Sequence, residues 1–211
     1  MTSHRPLRAL RRVAGPAAVV LTLTVLVPGI TGCDPAEAGS AALVGDVRIT
    51  ERQVHDDAAE VLDVVERIQA APPDGQALLR ALVQNRVTAQ LVDVAAAREG
   101  VSVSQGEVDR LILDAGGLEA LTVGFAQAEG EWIPASGIED SARTFLLRVE
   151  LGQQLAPGGT DEEQAAATNE YLEELSGELG VDVSSRYGSW DAAASQVVAA
   201  PDDLSEPAAG E

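Results

Sequence analysis

The chain has 211 residues and a formal net charge of −20 at pH 7, and aromatic residues make up only 3% of it. Because phosphate binding needs clustered cations, this charge argues against nucleic acid as a partner, and it argues equally against adsorption to anionic lipid headgroups. The few aromatic residues predict an aliphatic core, which suits packed helices better than a β-sandwich.

The first part of the chain follows the order of a secretion signal. Arg5, Arg8, Arg11 and Arg12 come first, and a nearly uncharged stretch rich in Val, Leu, Ala and Thr follows over residues 13–30. A positive segment before an apolar one is typical of exported proteins. This signal holds four Arg and no acid, so the remainder of the chain carries 10 Arg against 34 Asp and Glu, a net charge of −24.

The signal ends at Cys33, the only cysteine of the chain, which follows Ile30, Thr31 and Gly32. These four residues resemble a bacterial lipobox, in which an aliphatic residue and two small residues precede the cysteine that is acylated. The resemblance implies a lipoprotein signal peptide over residues 1–32 and a diacylglycerol thioether on the cysteine. The thiolate is the nucleophile that would take the lipid.

Two other interpretations of the signal fit less well. A transmembrane helix needs ~20 apolar residues, and Pro16 and Pro28 interrupt the stretch here. A plain signal peptide ends at a small-residue A-x-A site, and none precedes Cys33. We therefore expect a lipid-anchored protein on the extracytoplasmic face of the cell membrane, attached to the bilayer through acylated Cys33.

A tether and two short extended segments follow the signal. Residues 33–40 are mostly small and polar, which is typical of a flexible tether. Residues 42–44 and 47–49 are mainly apolar, and Gly45 and Asp46 between them predict a tight turn. The sequence therefore predicts two short β segments at the start of the domain.

Helix starts are marked clearly along the middle of the chain. Thr50, Ser104 and Thr160 each have Gln or Glu three residues later, so each predicts a helix that begins with a capping box. Asp74 predicts a fourth N-cap. Apolar residues at spacings of three and four continue after each of these positions. Two prolines after residue 71 are expected to end the first of these helices.

Two further helices are predicted over residues 118–128 and 138–155, and alternation over residues 181–183 predicts a strand. The expected fold class is mainly α, a bundle of about five to six helices with two short β segments near the domain ends. We expect residues 42–49 and 181–183 to pair, or at least to lie close together.

Residues 193–211 are small, acidic and broken by proline, so we expect a disordered tail.

Three stretches resemble the N-terminal chaperone module of the SurA and PrsA families. Residues 41–50 are similar to the opening A-x-V-N-G-x-x-I-T pattern, although the Asn is absent. Residues 97–108 are similar to A-x-x-x-G-I-x-V-S-x-x-E-V, and residues 181–190 to the V-x-V-N-P-R-Y-G-x-W segment of actinobacterial members. The resemblance covers residues 41–192 and implies a domain that binds unfolded or exported polypeptides.

The same families usually carry a parvulin-type prolyl isomerase domain, whose pocket uses histidines with a cysteine or an aspartate. Residues 33–211 hold one histidine, His55, and no stretch long enough for that extra domain. Residues 161–163 are acidic, but consecutive carboxylates on a helix point in different directions and do not converge on one cation. We expect them to interact favourably with the dipole at the start of the helix instead. We expect no catalytic residues, no metal and no cofactor.

Five aromatic residues are candidates for contact with a bound peptide: Phe125, Trp132, Phe145, Tyr187 and Trp190. Tyr and Trp are enriched where proteins bind one another, but buried aromatic residues more often pack as part of the structure. Both roles stay open for all five.

The expected function is that of a membrane-anchored, extracytoplasmic, chaperone-like protein that binds unfolded polypeptides without catalysis. Two alternatives remain. The chain could be an adaptor lipoprotein that binds one folded partner, or a vestigial peptidyl-prolyl isomerase.

Overall fold

The computed structural model describes residues 38–128 and 130–199, which belong to one compact unit. Cys33, the signal over residues 1–32 and most of the tether lie outside the described residues. Residues 200–211 of the expected tail also lie outside them. Among the helices of the described residues, none is both long and apolar enough to cross a membrane.

The described residues fold into six α-helices, and the mainly α class is therefore confirmed. A short 3-10 turn, Ala135–Gly137, leads into the fifth helix. The helices are α1 Glu51–Arg67, α2 Gly75–Glu99, α3 Gln105–Asp114, α4 Leu118–Gln127, α5 Ile138–Leu155 and α6 Asp161–Leu179.

A small sheet joins the two ends of the domain. Strands β1 (Ser40–Val44) and β2 (Val47–Thr50) form an antiparallel hairpin, and β3 (Val181–Val183) pairs antiparallel with the other edge of β1. The strand order is β2-β1-β3. Ala42 lies opposite Val183, and both are buried. The expected pairing of the first and last extended segments is confirmed.

The predicted helix starts are also confirmed. The hydroxyls of Thr50, Ser104 and Thr160 each accept a hydrogen bond from the backbone three residues later, and all three capping boxes are complete. The Asp74 carboxylate accepts a hydrogen bond of 2.8 Å from the backbone N–H of Ala77. These caps satisfy backbone donors that a helix start otherwise leaves without partners.

One helix end differs from the prediction. The helix α1 stops at Arg67, with Ile68 as its C-cap, well before the two prolines that were expected to end it. Gln69 follows with a φ of 56°, a left-handed conformation that reverses the chain direction. The helix therefore ends by a change of backbone conformation, and the prolines only shape the loop after it.

The core is aliphatic and centred on α2, which packs against α1, α5, α6 and β1. Val83, Val87 and Leu91 of this helix are almost completely buried. A second, smaller cluster joins Val108 and Ile112 of α3 to Ile138 of α5. Such close packing of methyl-rich side chains provides most of the stability of a helical domain that has few aromatic residues.

The expectation of disorder from residue 193 is wrong for residues 193–199. Strands β4 (Ser189–Asp191) and β5 (Gln196–Val198) form a second antiparallel hairpin, with Trp190 opposite Val197. The side chain of Gln84 on α2 holds this hairpin, because its Nε2 donates to the carbonyl of Ser195 at 2.9 Å and its Oε1 accepts from the N–H of Val197. These distant contacts order a segment whose composition alone predicts disorder.

Candidate functional site

Three adjoining depressions lie along α5, and we call them together the α5 groove. The first has a volume of about 480 Å³ and lies between α5, α2, α1 and β2. The second, of about 610 Å³, lies between α5 and α6. The third, of about 270 Å³, lies between α2, α6 and the turn of the β4–β5 hairpin. Arg148 of α5 lines all three.

The sequence of α5 explains why its surface is concave and polar here. Ser141, Thr144 and Arg148 line both the first and the second depression, and their spacing of three and four residues puts them on one face of the helix. At the base of the second depression, Gly152 lets α6 come close. A Cβ atom at this position would lie only 2.9 Å from the carbonyl oxygen of Gln164.

Two apolar side chains of α5 border the second depression and are exposed. The exposed fraction is 55% for Phe145 and 38% for Val149, and both residues line that depression. They are one turn apart and therefore neighbours on the helix surface. Elsewhere, Leu113 of α3 is 72% exposed and Leu118 of α4 is also exposed. Those two residues line none of the three depressions.

The charge of the first depression is balanced, unlike that of the chain as a whole. Its lining includes three arginines and three aspartates: Arg48, Arg86 and Arg148, with Asp57, Asp93 and Asp140. Loss of solvent around the Asp93 carboxyl raises its pKa, and the nearby charge of Asp140 raises it further, whereas Arg143 opposes the rise. The groove is therefore a nearly neutral strip on a strongly acidic surface.

Arg148 is half-buried where the three depressions meet. Its Nη2 donates a hydrogen bond of 2.7 Å to Oδ1 of Asn169 on α6. No carboxylate of the described residues lies within ion-pair distance of it. Burial lowers the pKa of the Arg148 guanidinium from its ordinary value, although an arginine stays charged at any physiological pH.

The structure does not bring the five aromatic candidates together. Trp132 and Tyr187 are buried in the main core, and Trp190 packs against that core from the C-terminal hairpin. Phe125 packs against the smaller cluster of α3 and α5. Phe145 borders the second depression, and Trp190 lines the third.

The residues considered for catalysis or metal binding do not form a site. His55 is exposed on α1. Glu51, four residues before it on the helix, binds Arg186 at 2.8 Å. Within residues 38–128 and 130–199, no group of His, Cys, Asp or Glu side chains could hold a metal ion.

Arg148, the residue that joins the depressions, is not among the site residues predicted from the sequence. Arg148 lies within a predicted helix directly between Leu147 and Val149, where a cation interrupts the run of apolar residues 145–149. That interruption is the signal that could have identified it. Its position beside Asn169, by contrast, depends on how α5 packs against α6.

Part of the chain matches a known protein family. Residues 7–123, more than half of the chain, match the SurA-like N-terminal domain. The match contains the first hairpin and helices α1 to α3, and it ends within α4, so one wall of the α5 groove lies inside it and α5 itself lies beyond it. No curated protein and no solved structure matches the chain.

Proposed function

Because the chain belongs to the SurA-like N-terminal domain family, which is a chaperone-like module, we propose that it holds unfolded exported polypeptides in the α5 groove without catalysis. A lipid on Cys33 would anchor it to the extracytoplasmic face of the cell membrane. The observation that carries the proposal is the exposure of Phe145 and Val149 beside a groove of balanced charge.

The proposed binding is weak and reversible. An unfolded polypeptide exposes apolar side chains, and burying them against Phe145 and Val149 gains about 25 cal/mol for each Å² of apolar surface. The hydroxyl groups of polar side chains in the groove, such as Ser141 and Thr144, can donate hydrogen bonds to backbone carbonyls of the client and accept them from its backbone N–H groups. Such a surface is tolerant of sequence, as a chaperone requires.

The acidic exterior supports the same role. A net charge of −24 on the chain after the signal keeps copies of the protein apart and the client complex soluble. Binding to the unfolded state also lowers the concentration of free unfolded chains, which slows their aggregation.

Suppression of client aggregation tests the groove. We expect the protein at a stoichiometric ratio to reduce light scattering by a reduced, unfolded client. The double variant Phe145→Asp, Val149→Asp should lose this effect, whereas the control Leu113→Asp, Leu118→Asp should keep it. The proposal is wrong if the wild type does not suppress aggregation, or if the two double variants behave alike. Circular dichroism would show that each variant is folded.

The anchor has its own test. Mass spectrometry of the mature protein from its native host should show an N-terminal Cys33 with the added mass of acyl chains. Cys33→Ser should move the protein from the membrane fraction to the soluble fraction or leave an uncleaved precursor. An unmodified Cys33 in the mature protein would refute lipid anchoring.

The adaptor function has one specific observation in its favour, the exposed pair Leu113 and Leu118. Crosslinking in intact cells distinguishes the two functions. Many unrelated partners that disappear in the Phe145→Asp, Val149→Asp variant support the chaperone. One dominant partner that disappears in the Leu113→Asp, Leu118→Asp variant supports the adaptor.

A further inference from the structure

The positively charged side chain of Arg148 lies at the centre of the α5 groove, and its charge suggests which client segments the groove prefers. We propose that Arg148 binds the carboxylate of an Asp or Glu side chain in the middle of a bound client segment, with the third depression as the pocket for that side chain. The inference rests on the proposed function and specifies its substrate class.

The position of Arg148 defines where the acidic residue of the client would lie. Arg148 lines all three depressions, so a polypeptide that extends through the first and second depressions passes beside it. The third depression opens at the same residue and continues towards α2 and the hairpin turn. A chain that crosses the groove can therefore place one internal side chain into the third depression while its backbone continues on both sides.

The charges of the third depression fit an anion. Among the described residues that line it, Arg148 is the only charged one, and the other polar ones are neutral: Gln84, Thr88, Asn169 and Ser195. The carboxylates that line the neighbouring depressions, Asp57, Asp93 and Asp140 in the first and Asp161 in the second, do not line this one. An acidic side chain is therefore attracted to the third depression more than to the other two, in which the arginines are balanced by carboxylates.

The hydrogen bonding of Arg148 leaves donors for a ligand. A guanidinium has five N–H donors, and the described residues give Arg148 one side-chain acceptor, the neutral Asn169. Arg86 and Arg98, in contrast, each donate two hydrogen bonds to a carboxylate of the protein itself. Since Arg148 is half-buried, a carboxylate that reaches it forms charge-assisted hydrogen bonds in a site where water and salt screen them poorly.

The third depression is large enough for an acidic side chain of the client. Its volume of about 270 Å³ equals roughly the space of nine water molecules, at about 30 Å³ each. This holds an Asp or Glu side chain together with bridging water, which would connect the carboxylate to Gln84 or Thr88 without a direct contact.

Two fluorescent peptides that differ at one residue test the proposal. Both are extended, carry the same apolar residues, and have either Glu or Gln at the centre. Binding to the full-length protein in detergent is measured by fluorescence anisotropy at about 0.15 M ionic strength, where the Debye length is about 8 Å. We expect the Glu peptide to bind about tenfold more tightly than the Gln peptide, although the overall charge of the protein repels it.

Three variants assign the preference to Arg148. Arg148→Gln should bind both peptides equally, at the affinity that the wild type has for the Gln peptide. Arg148→Lys, which keeps the charge but not the planar fork, should show a reduced preference. Arg110→Gln changes an exposed arginine of α3 that lines none of the depressions and should keep the full preference.

The outcomes separate this inference from the proposed function. If the wild type binds both peptides equally, the groove binds clients but the role of Arg148 is refuted. If it binds neither peptide, both proposals fail. A second peptide pair, with Gln at the centre and a free or an amidated C-terminus, tests the source of the carboxylate. A preference for the free terminus that Arg148→Gln abolishes would overturn the assignment to an internal side chain.

Discussion

Asp57 of α1 accepts two hydrogen bonds from Arg86 of α2, at 2.5 Å from Nε and 2.7 Å from Nη2. The exposed fraction is 8% for the side chain of Asp57 and 34% for that of Arg86. Paired hydrogen bonds of this kind fix both the distance and the orientation of two helices. The ion pair therefore holds α1 against α2 at the first depression of the α5 groove, which both residues line.

Removing the Asp57 carboxylate should destabilise the domain. Asp57→Ala leaves the partly buried Arg86 without its partner, and we expect the free energy of unfolding to fall by about 2–3 kcal/mol. Urea unfolding measures the change. The control is Asp56→Ala, which removes the neighbouring exposed carboxylate and should change stability by less than about 0.5 kcal/mol. Equal effects of the two substitutions would contradict the role of the pair.

Replacing glycine by alanine at one position in α5 and one in α6 should change the stability of the domain in opposite directions. At Gly152 a new Cβ would lie 2.9 Å from the carbonyl oxygen of Gln164, so Gly152→Ala should separate the helices and cost about 1–3 kcal/mol. At Gly177 nothing lies within 4 Å of such a Cβ. Gly177→Ala should therefore stabilise α6 by about 0.5–1 kcal/mol. Thermal unfolding of both variants checks the signs, and an unchanged or raised stability of Gly152→Ala would show that the helices do not approach closely here.

Local signals in the sequence predicted the parts of the fold that local interactions determine. The capping boxes of Thr50, Ser104 and Thr160 depend on contacts three residues apart, so the helix starts could be identified without the structure. The pairing of residues 42–49 with 181–183 was predicted from their places at the two ends of the helical segment. The antiparallel register, in which residues 42–44 pair with 181–183, confirms it.

The remaining features depend on packing between distant segments. Asp57 and Arg86 are 29 residues apart, and only the arrangement of α1 on α2 brings them together. Residues 193–199 have the composition of a disordered tail, but Gln84 provides hydrogen bonds from more than 100 residues away. The α5 groove likewise arises from the distances between helices, which periodicity alone does not give.

Gln84 should control the order of the C-terminal hairpin. Gln84→Ala removes the side-chain contacts with Ser195 and Val197, and we expect cleavage within residues 192–199 to become several-fold faster in limited proteolysis. The loss of global stability should be about 1–2 kcal/mol. Gln76→Ala, at an exposed position in the first turn of the same helix, is the matched control. Unchanged cleavage in Gln84→Ala would show that other contacts hold the hairpin.

The raised pKa of Asp93 predicts a dependence of stability on pH. Loss of solvent and the charge of Asp140 both disfavour the ionised carboxylate in the folded protein. The folded state therefore binds the proton more tightly than the unfolded state does. Below the ordinary carboxyl pKa of about 3.9, Asp93 is protonated in both states and does not lower the free energy of unfolding. As the pH rises through the higher pKa of the folded state, the ionised carboxylate lowers the free energy of unfolding.

Replacing Asp93 by Asn should accordingly stabilise the protein at neutral pH. We expect Asp93→Asn to unfold at a higher urea concentration than the wild type at about pH 7, and the difference to shrink towards zero at about pH 3, where the carboxyl is protonated in both states. Asp140→Asn should give part of the same gain, because it removes the second cause of the raised pKa. A gain of equal size at both pH values would have to come from packing, and a loss at neutral pH would mean that the ionised Asp93 is favoured by the fold.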